Sequence, residues 1–141
     1  MNMVPDDILN GWRVLVIDDE PDAAEVTKLL LEMYGANVTT ASNGREGMER
    51  VTIHRPRFII CDISMPEMSG WEVIEQLKLD RSTASIPVIA LTAHAMSGDR
   101  QKAIAQGFHN YLSKPLHPET FVQQLLTLLT DDIPELLPLL S

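Results

Sequence analysis

Hydrophobic positions in this chain gather into short blocks separated by stretches with helical spacing. Four blocks are almost uninterrupted: Val14-Leu15-Val16-Ile17, Phe58-Ile59-Ile60-Cys61, Val88-Ile89-Ala90-Leu91 and Tyr111-Leu112. Runs that are apolar at successive positions, and therefore on both faces, are the pattern of buried parallel strands. A fifth, weaker strand is read around Val38-Thr39-Thr40. Helix signals fill the gaps. Pro21 suits a first helical position, and Ala24 to Tyr34 carries a helix to a stop at Gly35. Asn43 with Glu46 three residues on starts a second helix, which runs to about His54 before Pro56. Ser69-Gly70-Trp71-Glu72 is a capping box for a third, to about Leu79. Asp99 to Gln106 forms a fourth, stopped at Gly107. Pro118 opens a fifth, whose Phe121, Val122, Leu125, Leu126, Leu128 and Leu129 mark an apolar face.

Strict alternation of strand and helix predicts an α/β fold, a doubly wound parallel sheet with helices on both faces. For five strands the natural order is the flavodoxin-like 2-1-3-4-5. Residues 1–12 read as an N-terminal extension, 13–130 as the domain, and 131–141 as an acidic and then apolar tail. Two prolines, Pro134 and Pro138, preclude an ordinary helix through that tail.

The polar residues that end the blocks carry the chemistry. The first run ends in Asp18-Asp19, the second in Asp62, the third in Thr92 and the fourth in Ser113-Lys114-Pro115. In open α/β sheets the ligand crevice lies beyond the carboxyl ends of the strands, so these residues converge on one rim. Crowded carboxylates repel, and one takes up a proton unless a cation compensates. Mg²⁺ does so with one or two carboxylates, waters and a phosphate oxygen. Three carboxylates, one Mg²⁺ and the Lys114 ammonium sum to zero charge. Asp62, ending the middle strand, is the candidate nucleophile, since a carboxylate can attack phosphorus. Mg²⁺ and Lys114 would then stabilise charge on the equatorial oxygens.

Composition narrows the partners. The chain has 141 residues, 45% of them apolar, enough for one domain with a real core. Its formal charge of −9, from 20 acidic and 11 basic residues, opposes a domain that grips nucleic acid by itself. A single cysteine, Cys61, excludes an internal disulfide framework and reads as a small buried hydrophobe. The N-terminus lacks a signal-peptide pattern and no run approaches the ~18 apolar residues of a membrane span, so a soluble cytoplasmic protein is expected. His94, His109 and His117 show no metal-ligand spacing and read as surface or loop residues. Trp12 and Trp71 read as edge packing.

Taken together, the motifs resemble the receiver domain of two-component response regulators over about residues 13–130. They are Asp18-Asp19-Glu20, Asp62-Ile63-Ser64-Met65-Pro66-Glu67-Met68-Ser69-Gly70, Leu91-Thr92-Ala93 and Lys114-Pro115, in order and each after an apolar run. The resemblance implies a phosphoacceptor at Asp62. It implies Mg²⁺ (Mn²⁺ as substitute) held by Asp18, Asp19, Asp62 and the Ser64 backbone carbonyl. It also implies a switch hydroxyl at Thr92, a cation at Lys114, an aromatic switch at Tyr111 and a small gating residue at Ala93. The implied partners are a histidine kinase or histidine phosphotransfer protein and a downstream protein target, with a monomer or a phosphorylation-dependent dimer.

A rival class, Mg²⁺-dependent phosphohydrolases with an Asp nucleophile, places a second Asp two residues later as acid/base. Here that position is Ser64, so an aspartyl phosphate is expected to persist, which suits a signal carrier and not a turnover enzyme. The remaining alternatives are a receiver-like binding module that works without phosphorylation and a receiver cut from a hybrid kinase. The eleven residues after Thr130 are too few for an output domain, so output is expected through protein contacts. The expected contact face is the helix after Asp99, the strand at Tyr111 and the helix after Pro118.

Overall fold

The computed structural model describes residues 5–65, 67–92, 99–114, 116–130 and 133–134. Five strands alternate with five helices: β1 (Arg13–Ile17), α1 (Pro21–Glu32), β2 (Asn37–Ala41), α2 (Gly44–His54), β3 (Phe58–Asp62), α3 (Gly70–Leu79), β4 (Val88–Thr92), α4 (Asp99–Gln106), β5 (Asn110–Ser113) and α5 (Phe121–Leu129). All strand pairs are parallel, in the order β2-β1-β3-β4-β5. This is the doubly wound, flavodoxin-like sheet that the alternation predicts.

The lack of polar alternation in the strands has a direct physical cause. Val14, Val16, Phe58, Ile60, Ile89 and Leu91 face one core, closed by Leu30 and Leu31 of α1 and Phe121, Leu125 and Leu129 of α5. Their sequence neighbours Leu15, Ile17, Ile59, Cys61, Val88 and Ala90 face the other, closed by Val51 of α2, Val73, Ile74 and Leu77 of α3, and Ala103 of α4. Burial of each such aliphatic side chain contributes about 1.5–3 kcal/mol, which makes a polar residue on either face costly. Register then sets the rim. Ile17 lies beside Cys61, Asp62 beside Leu91 and Thr92 beside Ser113, so the residues ending four strands emerge along one edge.

Helix starts follow their capping residues. Asn43 accepts from the Glu46 amide at 2.8 Å and Ser69 from the Glu72 amide at 3.4 Å. Boundaries differ from expectation in two places. The α1 helix ends at Glu32, because the amides of Tyr34 and Gly35 bond three residues back and tighten the chain into a turn. Gly35 then adopts φ +94 against the backbone of Asn10, where a Cβ would lie 2.8 Å from Asn10 Cα. Pro118 does not open α5. The amides of Thr120 and Phe121 both donate to the His117 carbonyl, Thr120 stays outside helical geometry, and the helix starts at Phe121.

Trp12 packs edge-on to Phe58 at 6.3 Å and Trp71 to Phe108 at 5.7 Å, each with a cation over its ring, Arg57 and Lys102 respectively. Both tryptophans thus serve as edge packing. His109, read as a surface or loop residue, has a structural task. Its Nδ1 accepts from the Val88 amide at 2.9 Å, and its own amide donates to the Val88 carbonyl, which fastens the start of β5 to β4.

The stretch before β1 is built into the core. Leu9 is fully buried and Ile8 nearly so. The Leu9 and Gly11 amides donate to the carbonyls of Tyr34 and Gly35, and the two side chains join Leu31, Leu129 and Ile133. A Leu9→Ala change should therefore destabilise the protein by about 2–5 kcal/mol through the cavity it leaves. Urea unfolding measures this; a change below about 0.5 kcal/mol would show the segment to be peripheral.

Candidate functional site

Four acidic side chains, Asp18, Asp19, Glu20 and Asp62, bring one carboxylate oxygen each within 4.8 Å of one another. Asp18 and Asp62 are buried, Asp19 is half-buried and Glu20 is exposed. Lys114 reaches into this group from the end of β5. Its Nζ lies 3.1 Å from Asp18 Oδ2, 3.2 Å from Glu20 Oε1 and 3.3 Å from Asp62 Oδ2. Lys114 is 52 to 96 positions from these carboxylates in the chain, and the parallel sheet brings them together.

Local backbone structure aims each group. Asp18 Oδ1 accepts from the Glu20 amide at 3.0 Å, an Asx-type turn that leads into Pro21 and α1. Asp62 Oδ1 accepts from the Ser64 amide at 3.0 Å, leaving Oδ2 toward Lys114. The N-terminus of α3 presses on the same stretch. The Gly70 amide donates to the Ile63 carbonyl, and a Cβ on Gly70 would lie 2.5 Å from the Asp62 carbonyl oxygen. The Lys114 amide donates to the Thr92 carbonyl at 2.8 Å, which fixes these two strand ends against each other. Thr92 is buried at the end of β4. Tyr111 is half-buried on β5 beside Ala90 and packs against the α2–α3–α4 core. Ala93, Pro66 and Pro115 lie outside the described residues.

The electrostatics show the cost of burying these charges. Burial pushes the Asp62 carboxyl up to about 6; the Lys114 charge opposes the rise and the Asp18 charge adds to it. For Lys114, burial alone would lower its pKa, but the hydrogen bond and charge of Asp18, with Asp62 and Glu20, raise it to about 12. Four carboxylates against one ammonium leave a surplus of negative charge. Asp18 Oδ2 is buried and has no hydrogen-bond partner among the described residues; its approach to Lys114 is an ion pair without hydrogen-bond alignment. A buried carboxylate oxygen left in that state is costly. An all-oxygen, anionic donor set with such an orphan fits a hard divalent cation of the Mg²⁺ kind. Beside Lys114 a cavity of about 590 Å³ opens between α1 and Leu116.

Glu20 was not among the residues singled out from sequence as site candidates, although it completes the Asp18-Asp19-Glu20 triplet. A third acid in a turn that follows a buried strand was the available signal. Cys61 is buried in β3 as expected, and burial pushes its thiol pKa far up, which makes it inert.

Comparison with known proteins agrees with this geometry. Residues 14–126 match the family model of the response regulator receiver domain. The polar-differentiation response regulator DivK of Brucella anthropi is 36% identical over 118 residues, covering 84% of this chain and 96% of DivK. Protein PilH of Pseudomonas aeruginosa is 33% identical over 113 residues, covering 80% of this chain and 93% of PilH. Among solved structures, the chemotaxis response regulator CheY4 of Vibrio cholerae superposes with a TM-score of 0.77 at 29% identity, covering 83% of this chain and 98% of CheY4. The chain belongs to the response regulator receiver family of two-component systems. Among its described residues no helix is long and apolar enough to cross a membrane.

The raised Asp62 pKa makes a stability prediction for metal-free protein. A folded-state value near 6 lies above the ordinary ~3.9, so the folded state binds that proton more tightly. Its contribution is intact below about pH 4 and is lost as pH rises through about 6. Asp62→Asn removes the burden, which is on the order of 1–3 kcal/mol. In EDTA the variant should melt a few degrees above wild type at pH 7.5, with the gap closing toward pH 4. Parallel melting-versus-pH curves for the two proteins would contradict this cost of burying the Asp62 carboxylate.

Proposed function

We propose that this protein is a phosphoacceptor switch. Asp62 receives a phosphoryl group from the phosphohistidine of a histidine kinase or a histidine phosphotransfer protein, and the resulting change controls a protein partner. The observation that carries this reading is Lys114 Nζ, held within 3.3 Å of both Asp18 and Asp62 at the rim of the sheet. Asp18, Asp19, Asp62 and the Ser64 backbone carbonyl are the groups that would hold Mg²⁺, with Mn²⁺ as substitute. When bound, the ion supplies charge neutralisation and a contact to a phosphoryl oxygen.

The chain's own residues do the rest. The Ser64 amide and Lys114 hold the two oxygens of Asp62 in a fixed orientation. One of these oxygens attacks phosphorus, the new O–P bond forms, and the N–P bond breaks with its electron pair returning to the imidazole. Lys114 stabilises charge on the transferring oxygens. With Ser64 where a hydrolase has its acid, no side chain is placed there to drive rapid hydrolysis. The protein is therefore a carrier, with only weak self-phosphorylation and self-dephosphorylation.

Phosphorylation adds about −1.5 to −2 charge in a pocket already closed by Lys114. The Thr92 hydroxyl and Lys114 become its hydrogen-bond donors. Thr92 lies in β4 beside β5, which carries Tyr111, so a shift at Thr92 has a short route to that ring. The half-buried Tyr111 is also among the residues that line a cavity of about 300 Å³ at the β5–α5 end. The outcome is a population shift between two arrangements of this face.

Acetyl phosphate with Mg²⁺ should add about 80 Da to the intact mass of the protein, and Asp62→Asn should abolish the adduct. No adduct on wild type would refute the phosphoacceptor reading and favour a binding module that works without phosphate. The Thr92→Ala variant should still take the phosphoryl group while the Tyr111 ring resonances, followed by NMR, shift far less than in wild type. Equal shifts would sever the proposed coupling.

A further inference from the structure

We propose that Glu20 is a positioning residue that slows phosphoryl transfer by occupying the third N–H of Lys114 and holding its own negative charge at the site mouth. The inference rests on the phosphoacceptor reading of the same site and concerns how fast the site can be loaded.

A lysine ammonium has three N–H donors and no acceptor. In the structure all three have a carboxylate partner: Asp18 Oδ1, Asp62 Oδ2 and Glu20 Oε1, at 3.2–3.3 Å. An incoming phosphoryl oxygen can bond Lys114 only by displacing one of them. Asp18 is fully buried and further held by the Glu20 amide, so releasing it would strand a charge out of water. Asp62 is the acceptor itself. Glu20 is 66% exposed on its side chain, and its ion pair with Lys114 is of the weak, water-screened kind. It is the partner that leaves at least cost.

Charge counting points the same way. Asp18, Asp19 and Asp62 are balanced by Lys114 and one divalent cation. Glu20 adds a fourth carboxylate to the same cluster and leaves the loaded site one negative charge in excess. It also lines the cavity that opens beside Lys114, so its charge faces a donor that enters by that route. Like-charge repulsion across several ångströms of partly exposed space is worth roughly three- to tenfold in rate, and it weakens as salt shortens the screening length. Glu20 has no side-chain capping bond to α1, so its exposed carboxylate is free of a structural task at that helix end.

The test compares wild type with Glu20→Gln, using acetyl phosphate as donor, saturating Mg²⁺ and intact mass as readout. In the reaction the O–P bond to Asp62 forms, the P–O bond to the acetyl group breaks, and acetate leaves with the electron pair. At about 0.02 M ionic strength the variant should load about three- to tenfold faster, and the ratio should fall toward one at about 0.5 M. Loading is compared at saturating Mg²⁺, so that a change in metal affinity does not enter the rate, and melting temperatures in EDTA should agree within about 2 °C. Equal loading rates at every ionic strength overturn the proposal. So does a rate gain that salt leaves unchanged, which would mean general loosening. Slower loading with weaker Mg²⁺ binding overturns it too, and makes Glu20 a metal ligand. Absence of any adduct on wild type is a separate result, because it removes the phosphoacceptor reading itself.

Discussion

One ammonium group, Lys114 Nζ, keeps carboxylates together that would otherwise repel. It lies within 3.3 Å of Asp18, Glu20 and Asp62, two of which are almost fully buried. Bringing such charges out of water is unfavourable, and one cation does not balance it, as the raised Asp62 pKa shows. The site therefore exists in a state of deficit. The proposed affinity for a divalent cation, and the proposed response to a phosphoryl group, rest on the same imbalance. The rest of the molecule makes that imbalance sustainable.

The doubly wound sheet provides the rigidity. Its strands send alternate residues into two separate cores, so no strand can slide by one residue without exchanging its entire apolar content between faces. The register that places Asp62 beside Leu91 and Thr92 beside Ser113 is fixed accordingly. Gly70 and the Ser64 amide complete the hold on Asp62 from the α3 side. His109 fastens the start of β5, the strand that delivers Lys114. The charged residues thus sit at the ends of strands or on the short loops that follow, and β1 and β3, which carry the carboxylates, are among the most buried parts of the chain. A mobile site could relax apart and lose its tension.

Most of this was legible in the sequence because the governing signals are local. Unbroken apolar runs mark buried strands, and the residue that ends each run is by position a rim residue. Asp18, Asp19, Asp62, Thr92 and Lys114 were found in that way, and the structure gathers them on one edge. What was missed depends on contacts made at a distance. The burial of Leu9 requires Tyr34 and Gly35 to accept from its segment, and nothing in residues 1–12 announces this. His109 looks like any loop histidine until Val88 is seen beside it. The late start of α5 comes from two amides competing for one carbonyl of His117, against the good helix-opening chemistry of Pro118. Glu20 stood in a visible acidic triplet, but its tie to Lys114 spans 94 positions and only the fold reveals it.

The most direct measurement is a ¹³C NMR titration of the Asp62 side-chain carboxyl, assigned by its loss in Asp62→Asn, with and without saturating Mg²⁺. Burial of the carboxyl, reinforced by the charge of Asp18, predicts titration near pH 6 in the metal-free protein. With Mg²⁺ the carboxyl should stay ionised from pH 5 upward, because the added positive charge favours the carboxylate. Titration near the ordinary ~3.9 in both conditions would contradict it, since Asp62 would then be a carboxylate with no debt for a cation to relieve.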